Sequence, residues 1–223
     1  MKNKILLYGG KSTALIVCEM LKEKSIKPSF IYDEYLFKPY FKMNCIFSNK
    51  KKDLKKFISA SDDFFVCIGM MDGFLRDYIS KFFIDKKLNP ISIISSRAFI
   101  DKTALYGHGL LAMPNSFVHK HVEIGNNCYL NVNSVIDHEC KIGKGVHIMG
   151  SAYIAGRVII DDFASIGANA TILPDIKLGK GCIVGAGSVV TKDVGHGDIV
   201  VGNPAKFLKK NKKKIQSHNT LKF

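Results

Sequence analysis

From Val118 onward, every sixth residue is aliphatic: Val118, Ile124, Leu130, Ile136, Ile142, Ile148, Ile154, Ile160, Ile166, Ile172, Leu178, Val184 and Val190. Two positions before most of these stands a small or branched residue, as at Val122, Cys128, Ser134, Cys140, Val146, Ala152, Val158, Ala164, Ala170, Cys182 and Ser188. Gly, Asp or Ala follows many of them, as at Gly125, Asp137, Gly143, Ala155, Asp161, Gly167, Gly179 and Gly185. A period of six fits neither the 3.6 of an α-helix nor the two of an alternating strand. It predicts a solenoid of hexads, each making one short strand and a turn. The aliphatic side chain points into the coil, the small residue fills the space beside it, and Gly or Asp serves the turn.

The first hundred residues have a different rhythm. Short apolar runs at 4–9, 28–32, 44–48, 63–69 and 91–94 predict strands. Between them, 12–24, 50–60 and 74–86 predict helices, with Ser12 as the N-cap of the first. Strands alternating with helices imply a parallel sheet, so residues 1–96 form an α/β domain of nucleotide-binding type and 97–223 the solenoid domain with a basic tail. Ligands of such sheets gather at the carboxyl ends of the strands. Those ends carry Gly9, Gly10, Lys11, Ser12 and Thr13, then Asp33 and Glu34, then Gly69. Glycine lets a phosphate approach the backbone, and the following helix N-terminus favours its charge. There is no GxGxxG: Lys-Ser-Thr-Ala follows Gly9 and Gly10. Beyond the solenoid, 202–206 predicts a turn and 204–214 a short basic helix, followed by a loose end at 217–223.

Charge adds a preference for anionic partners. The net charge is +14, with lysines clustered at 50–52 and 206–214. No nucleic-acid motif accompanies them, and aromatics are not interleaved. No apolar run approaches the roughly 18 residues of a membrane span, and the apolar run at the start is short for a signal peptide. A cytoplasmic protein without stable membrane insertion is expected. The six cysteines include no CxxC pair, and Cys128, Cys140 and Cys182 occupy small-residue slots of the hexads, so they read as buried thiols and neither disulfides nor metal ligands.

Most hexad positions are committed to the coil, so departures stand out. Asp137-His138-Glu139 follows the stop at Ile136. Histidine suits general-base work near neutral pH, and a carboxylate on its other ring nitrogen fixes the tautomer and raises basicity. His147 lies nine residues on. His119 and His121 read as exposed turn residues.

The segment SVIDHECKIGKGVHI at 134–148, with YGG near the start and VVGNPAK near the end, resembles the bacterial sugar acyltransferases of the left-handed β-helix type. These include the bacillosamine-pathway aminosugar N-acetyltransferases and the sialic acid O-acetyltransferases. The resemblance implies a Rossmann-like N-terminal domain before a left-handed parallel β-helix of hexapeptide repeats. It implies His138 as general base, Glu139 as the acid that raises its basicity, and His147 beside the thioester of acetyl-CoA. Gly156 would offer its amide to the oxyanion, while Ala168 and Ala186 would touch the CoA arm. Nucleotide-sugar contacts would fall on Gly10, Lys11, Ser12, Thr13, Asp33, Glu34 and Gly69, although the usual Gly-His-Gly after the first turn is Ser-Thr-Ala here. A homotrimer with CoA between neighbouring coils is implied, and no metal.

The expected activity is transfer of acetyl from acetyl-CoA to the amino group of a nucleotide-linked 4-amino-4,6-dideoxy sugar for a surface glycan. The alternative is O-acetylation of sialic acid or a related sugar. A β-helical carbonic anhydrase would need three converging zinc-binding histidines, and a non-catalytic scaffold would not need His138 and Glu139.

Overall fold

The computed structural model describes residues 3–42, 44–69 and 71–211. The chain divides into two compact units. Among the described residues, one holds those before 70 together with Leu75–Ile93, and the other holds Met71–Phe74 and 94–211.

In the first unit, strands β1 (Ile5–Tyr8), β2 (Phe30–Tyr32), β3 (Ile46–Ser48), β4 (Asp63–Val66) and β5 (Asn89–Pro90) form one parallel sheet in the order β3-β2-β1-β4-β5. Leu6, Leu7 and Ile31 are wholly buried, as expected of strands covered on both faces. Helix α1 (Ser12–Glu23) buries Ala14, Val17, Met20 and Leu21, and α2 (Lys51–Ser59) buries Leu54 and Phe57, each a stripe at helical spacing. Helix α3 (Gly73–Asp85) contributes Ile79 and Phe83, whose ring meets Tyr8 edge-on. Two details correct the sequence reading. Ser12 is the first helical residue, while Lys11 occupies the cap without a side-chain hydrogen bond. The 91–94 run also changes place: Asn89–Pro90 completes the α/β sheet, and Ile93–Ile94 opens the coil. A continuous apolar run does not reveal which of two sheets its ends join.

In the second unit, two-residue strands recur every six residues from Ile93–Ile94 to Val189–Val190. They supply all of a six- and a five-stranded sheet and six strands of an eight-stranded one, and these sheets form the faces of one coil. Each turn of the coil takes three hexads, so Phe117 pairs with Val135 and Val135 with Tyr153. The aliphatic stops are the second residues of their strands and form the buried column, with the small residues two positions earlier packed beside them. The six-residue rhythm extends back to Ile94, Ile100, Tyr106 and Ala112. At the corners, a residue in left-handed conformation recurs every six positions, from Asn115 at φ 58° through Glu139 at 60° to Asp175 at 61°.

The coil ends in a hairpin where a basic helix was expected. Asp198–Val201 continues the eight-stranded sheet, the chain reverses at Gly202 (φ 104°), and Lys206–Lys210 pairs antiparallel with it. The last coil presents an open row of backbone donors and acceptors. Pairing satisfies that row, which a helix lacking an apolar face would leave bare. The expected helix beyond 211 and the loose end at 217–223 lie outside the described residues.

Candidate active site

His138 stands on the corner between a strand of the six-stranded sheet, Val135–Ile136, and one of the five-stranded sheet, Lys141–Ile142. The left-handed turn at Glu139 folds that carboxylate back onto the ring. Glu139 Oε2 lies 2.9 Å from His138 Nδ1. An ionised carboxylate only accepts, so in the neutral imidazole the proton sits on Nδ1 and the lone pair on Nε2. The Nε2 edge faces Gly156 on the next turn of the coil. A Cβ at 156 would stand 2.6 Å from Nε2, so only glycine leaves that edge clear. The neighbouring amides are committed, Ala155 to the Ile172 carbonyl and Arg157 to the His138 carbonyl. The Gly156 N–H has no such ladder partner among the described residues.

Asp137 organises the other side of the histidine. Its Oδ1 accepts the His138 backbone N–H at 2.7 Å, and its Oδ2 accepts the Tyr153 hydroxyl at 2.9 Å. Burial pushes the Asp137 carboxyl up, but those two hydrogen bonds and the nearby His138 and His119 outweigh it and hold it below the usual carboxylate range. Tyr153 moves the opposite way, its phenol raised by the same bond. Arg157 makes a two-pronged contact with Asp175, at 2.7 and 2.8 Å, one coil on. Cys140 is buried beneath the corner, and burial pushes its thiol up to about 11, so it offers no thiolate.

His147 and the two alanines lie elsewhere on the coil. His147 is in a strand of the eight-stranded sheet and is buried, with Nε2 3.1 Å from Asn131 Nδ2 and its ring against Tyr129. Ala168 and Ala186 are stacked at the turns after two strands of the same sheet, where the Gly187 N–H donates to the Ala168 carbonyl at 2.8 Å. In one chain, Gly156 and this second group therefore occupy different edges.

In the α/β unit, strand order reverses between β1 and β4, and a cavity of about 350 Å³ opens there. Gly10, Lys11, Ser12, Thr13, Asp33 and Gly69 line it. Asp33 is buried and tied to the backbone, accepting Gly10 N–H at 2.9 Å and Tyr35 N–H at 3.0 Å. Glu34 is not in the lining, but accepts the Tyr8 hydroxyl at 3.4 Å. Gly9, at φ 100°, fits closely over the Cys67 carbonyl, which a Cβ would meet at 2.8 Å.

Sequence reasoning passed over Tyr153 and took His119 for an exposed turn residue. Its side chain is 40% exposed, and Nδ1 lies 3.8 Å from Asp137 Oδ1. The missed signal is a step of 18: it stacks His119, Asp137 and Ala155 in one column and Val135 and Tyr153 in another. No group of three His, Cys, Asp or Glu suited to a metal gathers among the described residues.

A parallel coil of hexads joined to a small parallel α/β sheet defines a class. The profile of the family described as "Bacterial transferase hexapeptide (six repeats)" matches residues 139–173 and 158–192. No curated protein matches the sequence. Solved structures match over nearly the whole chain. PerB from Caulobacter crescentus, in complex with CoA and GDP-perosamine, has a TM-score of 0.85 at 23% identity, covering 94% of this chain and 99% of that one. The acetyltransferase domain of PglB from Neisseria gonorrhoeae, in complex with acetyl coenzyme A, has a TM-score of 0.82 at 23% identity, covering 93% and 100%. WeeI from Acinetobacter baumannii has a TM-score of 0.81 at 28% identity, covering 92% and 99%. The resemblance read from the sequence thus holds in both repeat and fold. This chain carries the bacterial transferase hexapeptide repeat and shares its fold with these three proteins.

Proposed function

We propose that the protein transfers acetyl from acetyl-CoA to the amino group of a nucleotide-linked sugar. The observation that carries this reading is the His138 ring, with Nδ1 on a carboxylate and Nε2 open toward a glycine. PerB and PglB, so similar in fold, are described with CoA or acetyl coenzyme A, and PerB with a GDP-linked sugar. In this reading the coil is left-handed and the α/β unit is a Rossmann-like domain. The sugar nucleotide enters the cavity at the β1–β4 crossover, with Lys11 toward its phosphates.

His138 Nε2 removes a proton from the acceptor as it attacks the thioester carbonyl, a contribution of about two to four orders of magnitude. Glu139 stabilises the imidazolium that forms. The Gly156 N–H meets the developing oxyanion, and loss of one such donor costs roughly 3 kcal/mol in comparable sites. The imidazolium then protonates the departing thiolate. No covalent enzyme intermediate is required.

The groups assigned to CoA lie on two edges of one coil, Gly156 on one and His147, Ala168 and Ala186 on another. Two neighbouring copies would bring those edges to a single groove, which supports a homotrimer with CoA between subunits. Light scattering should then return three times the 24.8 kDa chain mass. Use of acetyl-CoA goes with a cytoplasmic location, and among the described residues no helix is long and apolar enough to cross a membrane.

The test is thiol release from acetyl-CoA with UDP-, dTDP- and GDP-linked 4-amino-6-deoxy sugars, a 3-amino counterpart, and free and CMP-linked sialic acid. Release with an amino sugar, abolished by His138→Ala, is expected. Release with sialic acids alone would move the assignment to O-acetylation. Full activity in His138→Ala would sink the mechanism.

A further inference from the structure

An amine acceptor brings one proton too many. At neutral pH a sugar amine binds largely as an ammonium, titrating at about pH 8 if it resembles an α-amino group. It must lose one proton before it has a lone pair and a second as the amide forms. His138 holds one proton at a time. If it takes the first, it is an imidazolium when the second must leave.

The corner supplies another imidazole. His119 stacks on Phe117, at 5.9 Å and 28°, and Phe117 stacks on Phe99, at 4.7 Å and 17°. This fixes the ring in its column above Asp137. Its Nδ1 is buried and makes no hydrogen bond among the described residues, yet points at Asp137 Oδ1 from 3.8 Å. Protonation turns that contact into an ion pair. The carboxylate is ready for it, held by the Tyr153 hydroxyl and the His138 amide. The other titratable neighbours are His138, whose ring centroid is 6.3 Å away at 65°, and Asp101 and Lys120, which interact with each other. Asp101 is in turn committed to the Thr103 hydroxyl at 2.7 Å. With ring centroids 6.3 Å apart, the two imidazoles are near enough to serve one acceptor amine, directly or through a water, each hydrogen bond spanning about 3 Å.

We propose that His119, backed by Asp137, is a second proton acceptor that takes the ammonium proton before attack and leaves His138 neutral for the amide-forming step. The proposal rests on the amine reading given above. The ammonium R–NH3+ gives one proton to His119. The resulting R–NH2 attacks the thioester carbonyl, and an N–C bond forms. His138 takes a second proton from that nitrogen, the C–S bond breaks, and the thiolate takes the His138 proton. His119, part-exposed, returns its proton to water. The sum is R–NH3+ plus acetyl-CoA giving R–NH–CO–CH3, CoASH and one H+.

The experiment is the pH profile of kcat/KM, from pH 6 to 9.5, for wild type, His119→Gln, Asp137→Asn and His138→Asn with the best amino-sugar acceptor. His119→Gln is expected to lose about tenfold or more at pH 6.5 and to recover to within about twofold at pH 9, where the amine is already neutral. Asp137→Asn should show the same tilt less steeply. His138→Asn should be inactive throughout. A purely structural role for His119 would lower activity by the same factor at every pH, and that result, or a wild-type profile, overturns the proposal. Thermal unfolding of each variant confirms that it is folded. A wild type that releases thiol with no amino sugar overturns the amine reading along with this one. Release that depends on His138 and not on His119 overturns this one alone.

Discussion

Asp137 and Arg157, beside His138, are held by Tyr153 and Asp175 on the next coil, and Glu139 by the His138 ring itself, so single changes have sharp expected effects. Gly156→Ala places a methyl where only 2.6 Å separates it from Nε2. The backbone at 156 does not require glycine for its φ, so the variant should fold. Its kcat should fall by about tenfold to a hundredfold as the ring is pushed aside, a loss that steady-state kinetics will read. Glu139→Gly tests the opposite balance. Glutamate at φ 60° carries about 1 kcal/mol of strain that glycine relieves, offset by the entropy glycine loses on folding. Denaturant unfolding should therefore show stability within about 1 kcal/mol of wild type. The rate should nevertheless drop at least tenfold, because Nδ1 has lost the carboxylate that sets its tautomer. A variant as fast as wild type would remove Glu139 from the mechanism.

At the scale of elements, the coil was the most legible part of the chain because one period governs every strand. The same six-step rule that selects Ile136 and Ile154 selects the buried residue of every strand from Phe117–Val118 to Val189–Val190, so no tertiary knowledge was needed there. Replacing one of them, Ile154→Ala, removes a wholly buried side chain that neighbouring coils cannot collapse to fill. It should cost about 2–5 kcal/mol in urea unfolding. The terminal hairpin was illegible for the converse reason. Lys206–Lys210 has no apolar period, and what makes it a strand is the unpaired edge of Asp198–Val201 beside it. The α/β strands fell between these cases: β1, β2 and β4 announced themselves by apolar runs, whereas β5 is an Asn-Pro pair recognisable only from its neighbour β4. In the candidate site, His138 and Glu139 broke the pattern and were visible. Tyr153 and His119 join them through stacking at 18-residue spacing, which a reading in sixes does not display.

For the whole molecule, charge sets the response to solution conditions. Asp101, Asp137 and Asp175 all have carboxyls held below the ordinary range, Asp101 chiefly by Thr103 and Asp175 chiefly by Arg157. A carboxyl depressed in the folded state contributes stability that is present above its unfolded value of about 4 and lost as pH falls through the folded value. Melting temperature should be insensitive to these groups near neutrality and decline in acid below about pH 4. Asp175→Asn should shallow that decline without abolishing it. The surplus of fourteen positive charges should also draw in a polyanionic donor such as acetyl-CoA. Its KM should then rise several-fold between 50 and 500 mM salt, while kcat stays nearly constant.

Three hexads per turn also make the coil a ruler. His138 and Gly156 are 18 residues apart, so they sit side by side at about the 4.8 Å spacing of paired strands. Splicing one complete extra turn between them would preserve every local contact that builds a coil, and the protein should still fold. It would, however, move the base a full strand away from the amide that faces it, and catalysis should vanish. The same eighteen residues spliced in after Val190, beyond every residue assigned to the site, should lengthen the molecule and leave the corner intact. A lineage of such proteins is therefore free to grow by whole turns beyond the site, but not between the stacked residues that build it.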